Sequence, residues 1–442
     1  MSDARNDGQH WSFSTMWWHV YPLGFTGAPI RDHEHPTEVA HRLPHLEAWL
    51  DHVIGLGLNG IALGPVFASS THGYDTVDHF RIDPRLGDDG DFDRLIAAAH
   101  DRGIRVLLDG VFNHVGREHP AFLAAQADAS APEAALFRRD ASGEVQVFEG
   151  HGALVELDHD SPAVEQLVVD VCSHWLDRGA DGWRLDAAYA VPSGFWSRVL
   201  PRVRERHPDA WFLGEVIHGD YAGIVRESTI DSLTQYELWQ GIWHGIADRN
   251  LFELEHAIER GNALLGDFVP ATFVGNHDVT RIASAIDPAL VPHALAVLFA
   301  VAGTPAIYAG DEYGWQAVKE ERLGGDDAIR PEFPAAPPRP EELDASARRS
   351  LDVHRELLAL RRRNPWLTTA RTDVVHVANL ALVLRTATGE AGLVTALNLD
   401  DAPVTVPAAD ASTVVAGEGE LGDGRLALPA RGWAVLEVRL SR

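Results

Sequence analysis

Arg184 and Asp186 stand two residues apart in the stretch GADGWRLD (residues 179–186), just after an amphipathic segment (residues 163–177) with Val, Leu and Trp at helical spacing. That pattern predicts helix, turn, strand. Side chains alternate along a strand, so both residues point to the same face. An arginine beside an aspartate favours the ionised carboxylate, and an ionised, immobilised carboxylate can act as a covalent nucleophile. A lone RxD is more often a structural ion pair at a strand end. Here it has company. Three more apolar runs end in groups of related chemistry: DGVFNH at residues 109–114, GEVIH at 214–218 and GNHD at 275–278.

The elements that must position these groups alternate regularly. Strands are predicted at residues 16–21, 61–63, 104–108, 181–186, 210–214, 232–236, 271–275 and 305–310. Helical patterns fall between them: residues 36–55, with Val39, Leu43, Leu46, Leu50 and Ile54 on one face, then around Phe92 to Ala99, 195–206, Leu254 to Ile258 and 291–301. Eight strands alternating with helices point to an α/β fold, a (β/α)8 TIM barrel. A polar loop is expected over residues 69–89. Residues 115–158 are too long for a simple barrel connection and read as a small inserted domain after the third strand. The barrel then comprises residues 1–114 and 159–364. After a helix near residues 345–363, short alternating runs predict a C-terminal antiparallel β domain, a sandwich, over residues 365–442.

In such a barrel the C-terminal strand ends converge on one face. Asp186, Glu215 and Asp278 would therefore meet, attended by Arg184, His114 and His277. Unpaired acids are rarely gathered without a catalytic or metal-binding reason. Two carboxylates and a third stabiliser suit glycoside cleavage by double displacement, one attacking the anomeric carbon and one protonating the leaving oxygen. Crowding of like charges is expected to keep Glu215 protonated while Arg184 keeps Asp186 ionised.

Composition narrows the partners. The 442 residues carry 37 Lys plus Arg against 65 Asp plus Glu, a net charge of -28. Such a field disfavours nucleic acid and anionic membranes and suits a neutral substrate. No apolar run is long enough for a membrane span, and no signal peptide pattern or starch-binding module is visible, so a cytoplasmic protein is expected, monomer or homodimer. The single cysteine, Cys172, reads as inert core.

The four motifs, in this order and at these barrel positions, resemble the signature regions of the α-amylase family, glycoside hydrolase family 13, over a likeness running from about Met16 through the C-terminal β domain. The resemblance implies Asp186 as nucleophile, Glu215 as general acid/base and Asp278 as transition-state stabiliser. It implies sugar contacts from Asp109, His114, Arg184 and His277. The run HGYDTVD (residues 72–78) is similar to a family segment whose tyrosine stacks on the sugar, which adds Tyr74 and Asp75 as substrate contacts. GGDDAIR (residues 324–330) adds Asp326 and Arg330. Residues 74–78, 82–84 and 103–105 are similar to the neopullulanase and cyclomaltodextrinase group. That group usually carries an N-terminal β domain, whereas 15 residues precede the first strand here. The implied substrate is an oligosaccharide: short, branched or cyclic α-glucans with α-1,4 or α-1,6 linkages, with transglycosylation as a further outcome. An exo-acting α-glucosidase is the alternative, and a non-catalytic scaffold of the same fold a more distant one.

No cofactor is expected. Asn113 matches a family position that ligates calcium in many α-amylases, but Ca²⁺ wants six or more oxygens and the amide reads as a loop stabiliser. Residues 32–35 (DHEH) read as a solvated loop, not a metal site. Trp17, Trp18, Trp183 and Trp211, inside strands, are expected as barrel core. Phe148, Glu149, Leu154, Glu156 and Asp158 of the insert are expected to offer packing and acceptors to a short glucan.

Overall fold

The computed structural model describes residues 10–31, 38–389 and 391–438. Eight parallel strands form one sheet. In chain order they are Trp17–Val20, Gly60–Leu63, Arg105–Gly110, Gly182–Leu185, Trp211–Gly214, Ser232–Leu233, Ala271–Phe273 and Thr304–Tyr308. Hydrogen-bonded neighbours run sixth, fifth, fourth, third, second, first, eighth, seventh. A parallel bridge between Thr234 and Ala271 joins the two ends, so the sheet closes on itself. These strands are apolar almost throughout, as expected where helices cover the outside and side chains fill the inside. Trp17 stacks on Trp211 at 5.6 Å and 8° within the barrel, next to Leu107, Leu213 and Ala271. Trp18 and Trp183 are fully buried. The four tryptophans are core.

Register places the chemistry. The third and fourth strands pair Leu107 with Gly182 and Asp109 with Arg184, and the fourth and fifth pair Arg184 with Leu213. Gly182 is required at its position: a Cβ there would meet the Trp211 carbonyl oxygen at 2.2 Å. The helix Pro162–Asp177, which buries Val164, Val168, Val171 and Trp175, delivers the chain to this strand. Cys172 lies on the same face, and burial pushes its thiol up, out of reactive range.

Several elements differ from the sequence reading. The helix expected over residues 36–55 is two short helices, Leu43–Glu47 and Leu50–Leu56. Ala40 and Arg42 instead donate their N–H groups to Pro84 and Leu86, and Pro44 fits only the first turn of a helix. Val39 and Ile54, expected on the buried face, are exposed. Residues 32–35 lie outside the described residues. The polar loop contains an antiparallel pair, Phe67–Ser69 with Thr76–Ile82. The sixth strand stops at Leu233, and Tyr236 opens a helix, Tyr236–Ala247, that was not foreseen.

Within the long connection after the third strand, His114–Gly116 pairs with Leu154–Glu156. Beyond the helix Ala345–Arg363, a five-stranded antiparallel sheet and a three-stranded one form the C-terminal part. Strand Arg371–Ala378 is tied to the helix Leu251–Leu264, Asn262 bonding both the N–H (3.0 Å) and the carbonyl (2.6 Å) of Thr372. No helix among the described residues is long and apolar enough to cross a membrane.

Candidate active site

The C-terminal strand ends open into a cleft of about 870 Å³. Backbone bonds carry the sheet pattern one residue past the strands: Asp186 N–H donates to Gly110 O at 3.0 Å, and Glu215 N–H to Leu185 O at 2.9 Å. Both acids are thereby anchored by rigid elements, a precondition for geometric precision.

Arg184 is the hub. Its NH1 lies 2.7 Å from both Asp109 carboxylate oxygens and 3.0 Å from Asp186 Oδ1, and its NH2 lies 2.7 Å from Glu215 Oε1. Glu215 is held further by Ala187 N–H (2.9 Å to Oε2) and Tyr236 O–H (3.3 Å to Oε1). Ala187 has a φ of 44°, a left-handed conformation uncommon for a residue with a Cβ, at the point where the chain turns away from the strand end.

Electrostatics here correct one expectation. Arg184 was expected to keep Asp186 ionised. Instead burial, reinforced by Glu215, Asp109 and Asp278, pushes the Asp186 carboxyl well above the ordinary range against the pull of Arg184. Asp109 is pushed up to about 6, burial again outweighing Arg184. The physical reason is sharing: one guanidinium serves three buried carboxylates, so its pull does not offset burial at Asp186 or Asp109.

On the opposite wall the His277 ring runs parallel to the rings of Tyr74, at 5.5 Å, and Tyr21, at 6.0 Å. Its Nε2 contacts the Tyr74 hydroxyl and lies 3.0 Å from Asp278 Oδ2. Tyr74 O–H lies 3.1 Å from Asp109 Oδ2, linking this wall to the hub. Asp278 is fixed by Arg330 NH2 (2.8 Å to Oδ1), which also meets Asp326 Oδ2 at 2.8 Å. Asn276 completes the bracing: its Oδ1 accepts from Asp278 N–H at 2.8 Å, and its Nδ2 donates to Tyr236 at 2.9 Å. Burial, with the charges of Arg330 and Arg184, drives the His277 imidazole well below its usual pKa, so it is neutral. His114 is likewise lowered to about 4 by burial; its Nε2 bonds the Tyr74 carbonyl at 3.1 Å, and its ring stacks on Phe148 at 4.8 Å.

Of the sequence-derived residues, Asp186, Glu215, Asp278, Tyr74, His114, Asp326 and Arg330 line the cleft. Asp109, Arg184 and His277 adjoin it through the bonds above. Asp75 is not among the lining residues: its carboxylate is taken up by Thr71, N–H at 3.0 Å and Oγ1 at 2.6 Å. From the insert, Phe148, Glu149 and Leu154 reach the cleft, but Glu156 turns to Arg138 (3.7 Å) and Asp158 is not on the wall. Lining residues the sequence reading did not single out include Tyr189, Tyr236, Trp239 and Lys319. The Tyr236 and Trp239 signal was present in Leu238, Ile242 and Ile246, spaced four apart, which marks a helix starting at Tyr236. Tyr189 donates to Glu149 Oε1 at 3.0 Å, a bridge from the loop after Asp186 to the insert.

Asn113 lies buried just after the third strand. Its carboxamide nitrogen faces His114 Nδ1 at 3.2 Å. Among the described residues the one group of three acidic or imidazole side chains close enough to share an ion is His41, Asp88 and Asp91, elsewhere on the surface. Asp88 and Asp91 there form the capping box of the helix Asp89–Asp101.

Comparison with known proteins agrees with this geometry. A family model described as alpha amylase, catalytic domain, matches residues 46–144 and 139–371. A cyclomaltodextrinase from a Bacillus species is 33% identical over 287 residues, 60% of this chain and 50% of that one. Neopullulanase 2 of Thermoactinomyces vulgaris is 31% identical over 368 residues, 79% of this chain and 60% of that one. This chain thus spans between half and about two thirds of the length of such relatives. A cyclic α-maltosyl-(1→6)-maltose hydrolase from Arthrobacter globiformis, in its ligand-free form, superimposes with a TM-score of 0.80 at 25% identity, covering 97% of this chain and 99% of that one.

Proposed function

The chain belongs to the α-amylase family, and from that premise we propose that it is a retaining hydrolase of short α-glucans, linear, branched or cyclic, with α-1,4 or α-1,6 linkages. The observation that carries the proposal is the convergence of Asp186, Glu215 and Asp278, from three different strand ends, on one cleft, the first two held by Arg184 and the third by Arg330.

In the proposed reaction, Asp186 attacks the anomeric carbon while Glu215 gives its proton to the departing glycosidic oxygen. Glu215 then takes a proton from water, which opens the covalent intermediate. Asp278, fixed by Arg330, supplies negative charge beside the oxocarbenium-like transition state. Tyr74, lying parallel to the His277 ring, offers a flat apolar face to the sugar. No step requires a cofactor. An address inside the cell is part of the proposal, supported by a chain whose lone cysteine can form no internal disulfide.

The Glu149–Tyr189 bridge and the stacked Phe148 bring the insert onto the cleft wall and favour short substrates over long ones. We therefore expect kcat/KM on maltotriose, panose or β-cyclodextrin to exceed that on soluble starch by roughly tenfold, about 1.4 kcal/mol of transition-state binding. Product analysis on these sugars and pullulan measures this directly and separates α-1,4 from α-1,6 cleavage. Equal efficiency on starch would mean an open cleft and refute the size preference. Release of glucose alone, one unit at a time, would favour an exo-acting α-glucosidase.

A further inference from the structure

The chain has 37 Lys and Arg residues, and Lys319 is the single lysine among them. It is half-buried on the cleft wall, in the segment that follows the eighth barrel strand. Two hydrogen bonds tie this segment to the residues after Asp278: Arg281 N–H to the Ala317 carbonyl and Lys319 N–H to the Thr280 side-chain Oγ1, each 3.1 Å. Its position is therefore set by the barrel.

Four cationic side chains line the cleft. Arg31 is paired with Asp327, Arg322 with Glu320, and Arg330 with both Asp278 and Asp326. Lys319 differs: among the described residues its ammonium has no hydrogen-bond or ion-pair partner. An ammonium on a flexible stem brings three donors and no acceptor. Left unpaired beside a cleft, those donors are available to a ligand. An anionic ligand is opposed by the carboxylates of Asp186, Glu215 and Asp278 in the same cleft and by the net charge of -28. A neutral ligand rich in hydroxyl oxygens is not.

We propose that Lys319 is a specificity-determining residue that donates hydrogen bonds to hydroxyl groups of the oligosaccharide in the cleft. This rests on the α-glucan reading above. The site has a practical advantage, since an amine-selective reagent meets only this side chain and the α-amine at the chain start.

The test is acetylation of the full chain with an N-hydroxysuccinimide ester, followed by peptide mass spectrometry. It is run on the Asp186→Asn variant, so that maltotriose is held without turnover. Maltotriose at saturation, established by calorimetry, is expected to slow acetylation of Lys319 several-fold and leave the α-amine rate unchanged. In parallel, Lys319→Met in the otherwise native enzyme is expected to raise KM for maltotriose by roughly tenfold with kcat little changed, the pattern of lost uniform binding. Lys319→Arg is expected to recover part of the loss. Equal acetylation rates with and without saturating maltotriose, or an unchanged KM in Lys319→Met, would overturn the assignment while leaving glucan hydrolysis standing. Failure of the native enzyme to bind or cleave any of the glucans would remove the α-glucan reading, and this assignment with it.

Discussion

Asp186→Asn is expected to lower kcat/KM on maltotriose by at least about 10⁴-fold, the scale on which loss of a covalent nucleophile is felt. The loss should persist on an aryl α-glucoside with an activated leaving group, because the missing step is attack at the anomeric carbon and not departure of the aglycone. The fold should not be the reason. Asparagine matches aspartate in shape, and the Asp186 N–H bond to Gly110 O is a backbone bond that the substitution leaves in place. Stability gives an independent reading of the same residue. The folded-state pKa of Asp186 is raised, so its ionised form weakens the fold once pH passes the unfolded value. At neutral pH the variant should melt no lower than the native protein. A large loss of activity with an unchanged or raised melting temperature, read by calorimetry beside steady-state kinetics, is the expected pair of results. Activity on the activated glucoside within tenfold of native would contradict the assignment.

Glu215→Gln is expected to divide substrates by leaving group. On maltotriose, whose departing oxygen needs a proton, the first step should slow by about 10²–10⁴-fold, the usual contribution of a general acid. On the activated aryl glucoside the same step should be affected far less, since that leaving group departs unprotonated. A burst of phenol followed by slow turnover is the expected trace, because hydrolysis of the intermediate still lacks its base. Glutamine keeps one acceptor: with its carbonyl oxygen in the Oε1 place it retains the Arg184 and Tyr236 contacts and gives up the bond from Ala187 N–H, a local cost that a melting curve beside the kinetics reads separately. Equal losses on both substrates would contradict the role.

The barrel was legible because strands covered on both sides are continuously apolar and end abruptly in polar residues. The stretch from Trp211 to Glu215 shows this within five positions. The chemistry was legible for the same reason: Asp186 and Glu215 follow directly on such an ending, and Asp278 closes the polar run GNHD after another. Two things were not. The helix Tyr236–Ala247 begins so soon after a two-residue strand that no turn residue separates them, and Tyr236 and Trp239 were lost to the site with it. The electrostatics were also hidden, since RxD in sequence suggests one arginine for one aspartate. Register with the third strand and contact with the fifth bring Asp109 and Glu215 to the same guanidinium, which local spacing does not encode. Asp75 shows the converse. Its neighbour Tyr74 reaches the cleft, while its own carboxylate closes the turn through Thr71.

The central claim is double displacement by Asp186 and Glu215, and the anomeric configuration of the first-formed product tests it most directly. Proton NMR of maltotriose hydrolysis, recorded before mutarotation, should show the α-anomer appearing first and the β-anomer only as the sugar equilibrates, because two inversions restore the starting configuration. First appearance of the β-anomer would mean a single displacement by water and would contradict the account.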